Sequence, residues 1–474
     1  MAADDDRVRA RLAKGLEAFD RGDCPAALKA LRPQLKPGSM AAFPGEVVAA
    51  VYQIAVLCEA QANRLVEARA LAVAGTAIDA ASDDLWQLRF ALDLEMKDLA
   101  AAVTTVEAMS AGRGAALNGV EIRWLYRLDT LLRDAKQEGE RERLLKVVTA
   151  SGYAPDEPMA SKDGFRISLI KILHARGDEA GAAALVAEIE TARTLLELSM
   201  NARLTPLMPA GFDPRKAVER ELADVRTAMG RHPRHLGPYI QAARLLRALG
   251  KPREALDMLE SARSGGRALA DHVDAKDKLA WWWDARGRTH LALGEADAAL
   301  VAYREGGRVE EDGSPNVSQI INLAGVQMRM GRHADALKTL PAEGADFPVS
   351  PFGAMQMRLV RVCANVGLGN AAAVAIDRAE IEAKSKDAPE ALRRLYLCLG
   401  DMDAAARAVI AELDNPEQRI ETLIDFSDFD PSPTPTPETA YSKGIEALKL
   451  REDVQAALKK AGGTRRIALQ SGDL

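Results

Sequence analysis

The chain has 474 residues and a formal net charge of −6, with a pI near 5.8, so it lacks the basic excess that a nucleic-acid binder uses against phosphates. Apolar residues make up 48% of it but aromatic residues only 4%. The apolar surface is therefore mostly Ala, Leu and Val. Ala and Leu enter helices at little cost, no convincing strand run stands out, and the expected fold class is all-α.

No stretch supplies 18 uncharged apolar residues, Val47–Cys58 coming nearest, and the acidic start MAADDDRVRA lacks the apolar core of a signal peptide. Both features predict a soluble, cytoplasmic protein without membrane insertion. Cys24, Cys58, Cys363 and Cys398 lie far apart, with no CxxC and no Cys/His cluster. They read as small buried hydrophobes in a reducing compartment.

A repeat runs through most of the chain. Turn signals fall near Gly22, Asn63, Lys97, Gly139, Gly177, Gly250, Gly294, Gly331, Gly367 and Gly400. Five residues after each comes an alanine: Ala27, Ala68, Ala102, Ala182, Ala255, Ala299, Ala336, Ala372 and Ala405, with Leu144 the exception. Small residues at that offset let the second helix of a hairpin cross the first closely. The long gap from Gly177 to Gly250 hides a further, degenerate pair.

In chain order, residues 1–204 read as an irregular array of such hairpins, beginning with Leu12, Gly15 and Phe19 before Gly22 and Ala27, Leu28 and Leu31 after it. Residues 205–237, opening on TPLMPAGFDP, read as a joining segment with one helix from Pro214 to Gly230. Residues 238–415 carry the more regular repeats. Residues 416–437 are an exit segment ending in PSPTPTP, an extended linker. Residues 438–474 hold a helix, Glu438–Ala461, followed by a tail, and the helix is expected to cap the open end of the array.

The stretch Trp281–Gly307, WWWDARGRTHLALGEADAALVAYREGG, carries a family resemblance. Trp283, Gly287 and His290 precede the turn at Gly294, and Ala299, Tyr303 and Gly306 follow it. This spacing resembles the tetratricopeptide repeat (TPR), with Arg286 in place of the usual leucine and Gly306 in place of an alanine. The resemblance implies a right-handed α-solenoid of roughly ten TPR-like hairpins. It implies a scaffold or adaptor for protein partners; the alternative is a structural subunit that docks through its convex face or its C-terminal helix.

Catalytic signatures are missing: there is no phosphate-binding loop, nucleophile elbow, HExxH or dinucleotide-binding glycine run. His232 and His235 flank Pro233, which suits a loop better than a metal-presenting helix. The expectation is a non-enzyme without cofactor or metal. In the TPR pattern the residue six before the turn faces the concave surface. Counting back gives Lys171, Arg244, Arg288, Arg361 and Arg394, with Gly325 at the remaining place and Arg329 one turn beyond it. Arg247 and Trp281 fall on the same face. This basic row predicts recognition of an acidic protein or peptide segment, unless local carboxylates such as Asp284 and Glu390 neutralise it.

Overall fold

A computed structural model describes residues 2–36, 38–311, 313, 316–342, 349–385, 388, 390–432, 434 and 439–470. It divides into two compact units, Met1–Leu185 and Val186–Leu474. The first pairs α1 (Ala2–Asp20) with α2 (Cys24–Leu31), α3 (Gly45–Gln61) with α4 (Leu65–Thr76), and α5 (Asp83–Glu95) with α6 (Leu99–Gly112). After the short α7 (Gly114–Asn118) come α8 (Ile122–Asp134) with α9 (Glu138–Thr149), then α10 (Asp163–Ala175) with α11 (Glu179–Ala187).

The second unit opens on α12 (Ala192–Met200) and α13 (Pro214–Arg231), the degenerate pair. Five regular hairpins follow: α14 (Leu236–Ala248) with α15 (Pro252–Ser261), α16 (Ala275–Ala292) with α17 (Ala296–Gly307), α18 (Val317–Arg329) with α19 (His333–Thr339), α20 (Pro351–Gly367) with α21 (Ala371–Ala383), and α22 (Glu390–Leu399) with α23 (Met402–Asp414). Then come α24 (Arg419–Asp425), α25 (Ala440–Lys449) and α26 (Glu452–Ala461). The first helices of successive regular hairpins pack on one another, and each second helix packs on the next first helix. The fold is all-α and solenoidal within each unit, with its core spread over serial clusters.

One device makes every regular hairpin. At the turn a residue takes positive φ: Gly22, Asn63, Lys97, Lys136, Gly177, Gly250, Gly294, Gly331, Gly369 and Gly400. The amide after it reaches back to the carbonyl five residues earlier, as from Glu295 to His290 (2.8 Å) and from Asp401 to Tyr396 (2.9 Å). This closure satisfies orphan carbonyls at the helix end. In several hairpins the same post-turn residue caps the next helix through its side chain, as Asp23, Asp98, Asn370 and Asp401 do.

The register is corrected at two turns. Lys136, not Gly139, makes the turn after α8, and Gly369, not Gly367, makes the turn after α20. Gly367 is small for another reason: a Cβ there would lie 2.2 Å from the His333 ring. Ala372, expected between helices, is accordingly exposed, and Val374, five after Gly369, packs on the local core instead. The other eight alanines of the offset are fully buried. Tyr303 fills the space left by Gly287, where a Cβ would meet its ring at 2.7 Å.

Three further expectations are overturned. The cysteines pair as Cys24–Cys58 and Cys363–Cys398, each bridge joining one hairpin to the next. The C-terminal helix is two helices, broken at Leu450–Arg451, with α25 on α22 and α23 and α26 on α23 and α24. The tail is not featureless: β2 (Arg466–Gln470) pairs in parallel with β1 (Asp428–Asp430). Most of the Pro-rich linker, at 433 and 435–437, lies outside the described residues. The second unit also closes on itself, for α12 packs on α24 and β2 lies against α13 and α14. An ion pair from Arg193 to Glu421 spans that closure.

Ala255→Leu and Ala299→Leu are each expected to destabilise the protein by about 1–3 kcal/mol, whereas Ala372→Leu should change stability by less than about 0.5 kcal/mol. Urea unfolding followed by circular dichroism separates the two outcomes. Breaking the first bridge with Cys24→Ser and Cys58→Ser together should cost about 2–4 kcal/mol. A loss at least as large should appear when the wild-type protein unfolds in reductant, which opens both bridges.

Candidate functional site

In the second unit the first helices of four consecutive hairpins line a groove of about 920 Å³. Trp281 and Arg288 come from α16, Ile321, Gly325 and Arg329 from α18, Phe352 and Gln356 from α20, and Glu390 and Arg394 from α22. Their spacings of four, seven and eight residues put each set on one helix face. The wall exists because Trp282, fully buried, anchors α16 to the preceding hairpin by donating from Nε1 to the Leu259 carbonyl (3.2 Å). Arg286, which stands where the TPR pattern has leucine, adds an ion pair to Glu260 at 2.7 Å.

Three cations face this space, and their circumstances differ. Arg288 is held by the buried carboxylate of Asp284, 2.6 Å away, which also accepts from Asn322 Nδ2 at 2.9 Å. Arg394 donates to Gln356 Oε1 (3.3 Å) and lies over the Tyr441 ring of α25. Glu390 does not neutralise Arg394; it accepts from Gln356 Nε2 at 2.9 Å. Arg329 has neither an ion-pair nor a hydrogen-bond partner among the described residues. Its side chain is exposed to the groove; crowding by the groove wall lowers its pKa, Tyr303 opposes this, and the like charges of Arg394 and Arg288 add to the lowering. A guanidinium so placed still keeps its proton at neutral pH.

The rest of the predicted row lies elsewhere. Lys171 is exposed on α10, in the first unit. Arg244 sits 3.6 Å from the Glu221 carboxylate, outside the groove lining. Arg247 is only 4% exposed and donates to the Ala285 carbonyl (3.2 Å) and Thr289 Oγ1 (3.1 Å), so it ties α14 to α16. Arg361 pairs with buried Asp377 at 3.2 Å, which Arg358 also reaches at 2.9 Å. Its displacement follows from the turn: six residues before Gly369 is Cys363, already committed to its disulfide. Trp281, Arg288, Arg329 and Arg394 are thus brought together, and Lys171, Arg244, Arg247 and Arg361 are not.

The sequence reading missed Phe352, 52% exposed at the groove, because it stands in the first turn of α20, outside the offset that picked out the row. A smaller hollow of about 300 Å³ in the first unit is lined by Phe90, Leu94, Trp124 and Arg127 among others. Among the described residues no group of three His, Cys, Asp or Glu side chains is placed to hold a metal ion.

No protein-family model and no curated protein matches the chain. Among solved structures it is similar to a tetratricopeptide repeat protein from Parabacteroides merdae, at 14% identity over 68% of this chain and 98% of that one, with a TM-score of 0.29. It is also similar to yeast Tom70, at 13% identity over 96% of this chain and 99% of that one, with a TM-score of 0.28. Neither likeness is strong enough to bear on function. The TPR-like character of the chain rests on its own geometry: serial helical hairpins, a left-handed residue at each regular turn, and a small buried residue at a fixed distance beyond most of them.

Proposed function

We propose that the protein is a binding scaffold whose second unit takes an acidic segment of a protein partner in the groove between Arg288, Arg329 and Arg394. The observation that carries this reading is Arg329, an exposed arginine in a concave wall with no ion-pair or hydrogen-bond partner among the described residues. Arg288 and Arg329 stand on neighbouring first helices about 8–10 Å apart, near the Debye length of about 8 Å at physiological salt, and both Arg288 and Arg394 act on the charge of Arg329, so the three fields add. Partner segments that order on binding give modest affinity, with dissociation constants in the micromolar range, about −8 kcal/mol.

Two disulfides, which use all four cysteines, favour an oxidising compartment over the cytoplasm. Among the described residues no helix is long and apolar enough to cross a membrane.

Fluorescence anisotropy with a ten-residue glutamate-rich peptide tests the groove. Micromolar binding at about 0.1 M salt should weaken at least tenfold near 0.5 M, and Arg329→Ala should weaken it with no loss of thermal stability. Gly325→Leu should also weaken it, since a Cβ there meets only Arg329 Nη1 at 3.5 Å and Val360 at 3.9 Å, and the added side chain fills the groove. Equal binding of a lysine-rich peptide would refute the reading. For the compartment, non-reducing peptide mapping of protein taken from its native cells should recover Cys24 joined to Cys58 and Cys363 joined to Cys398; free thiols at all four would refute it.

A further inference from the structure

The groove has two chemically different edges. Its first helices run in the same sense, because each intervening second helix returns the chain. Toward their N-terminal ends lie Trp281, Ile321 and Phe352; toward their C-terminal ends lie Arg288 and Arg329. Trp281 and Phe352 are 44% and 52% exposed, in a chain that buries most of its large apolar side chains. Covering large apolar side chains is favourable, so this edge forgoes stability that a ligand can restore. The floor between the edges is low at Gly325, where nothing but Arg329 and Val360 stands within 4 Å of an added Cβ.

The dimensions restrict what can lie there. Four helices set about 8–10 Å apart give a run of roughly 24–30 Å from the first to the last. An extended chain fits, and at about 3.3 Å per residue eight or nine residues span the run. Successive side chains of an extended chain point to opposite sides, so one set meets the arginine edge and the other the aromatic edge.

Resting on the groove-binding reading above, we infer that the groove selects an extended partner segment in which acidic residues alternate with aromatic or aliphatic ones, and that acidity alone is not its criterion. Arg288 and Arg329 take the carboxylates at every second position. Trp281, Ile321 and Phe352 cover the apolar side chains between them. The recognised feature is therefore a pattern of period two.

Three ten-residue peptides of identical composition test this against the full-length protein by fluorescence anisotropy. One alternates glutamate with phenylalanine or leucine, one separates the same residues into an acidic and an apolar block, and one spaces them for an amphipathic helix. The alternating peptide should bind at least tenfold more tightly than either isomer. Trp281→Ala with Phe352→Ala should abolish that difference and keep the salt dependence; unchanged helicity by circular dichroism confirms that the variant is folded. Equal, salt-sensitive binding of all three would overturn the pattern and leave the anionic groove standing. Tightest binding by the helical isomer would overturn the extended geometry, and no binding by any would overturn both readings.

Discussion

The close approach of two helices within a hairpin is the constraint on which the architecture rests. Alanines such as Ala255 and Ala299 are fully buried five residues beyond their turns, and Tyr303 occupies the space where Gly287 has no side chain. A larger residue at either place forces the pair apart, and packed interiors absorb such changes poorly. Each turn holds the pair in register by placing one residue in the left-handed region and returning the next amide to the first helix. The hairpin is a rigid unit, and its neighbours bury what it cannot bury alone.

Stacking such units fixes the chemistry of the wall. The first helix of each hairpin presents its residues at the same level as those of its neighbours, which is why Arg288 and Arg394, both six residues before their turns, share one groove. The same stacking hides other arginines. Arg247 lies three residues beyond the groove-facing place of its own hairpin, and there it meets the Ala285 carbonyl and Thr289. A three-residue step on a helix thus separates an interhelical tie from a ligand-facing charge. The disulfides belong to the same logic: cysteines 34 and 35 residues apart lie one repeat apart and meet across consecutive hairpins.

Much of this was legible in the chain because the turn residues are spaced by the repeat. Asn63 and Lys97 were found by that spacing although neither is glycine. The misreadings have local causes. Gly367 and Gly369 stand two apart; the first, close against His333, stays helical and the second turns. That slip of two residues put Arg361 in the basic row and Ala372 in the core. Lys136 carries no compositional signal for positive φ, so Gly139 drew the eye instead. The cysteine spacing was visible, and a repeat-based reading of it would have paired them. The β1–β2 pairing was not visible: three residues meet a five-residue strand nearly forty positions later, with no alternating pattern strong enough to announce it.

Hydrogen–deuterium exchange of the full-length protein, with and without an acidic peptide, tests the central claim most directly. If the groove is the binding surface, slowed exchange gathers in 275–292, 317–329, 351–367 and 390–399, the helices that line it. Protection concentrated instead in the second helices of the hairpins, or in the first unit, would contradict the account.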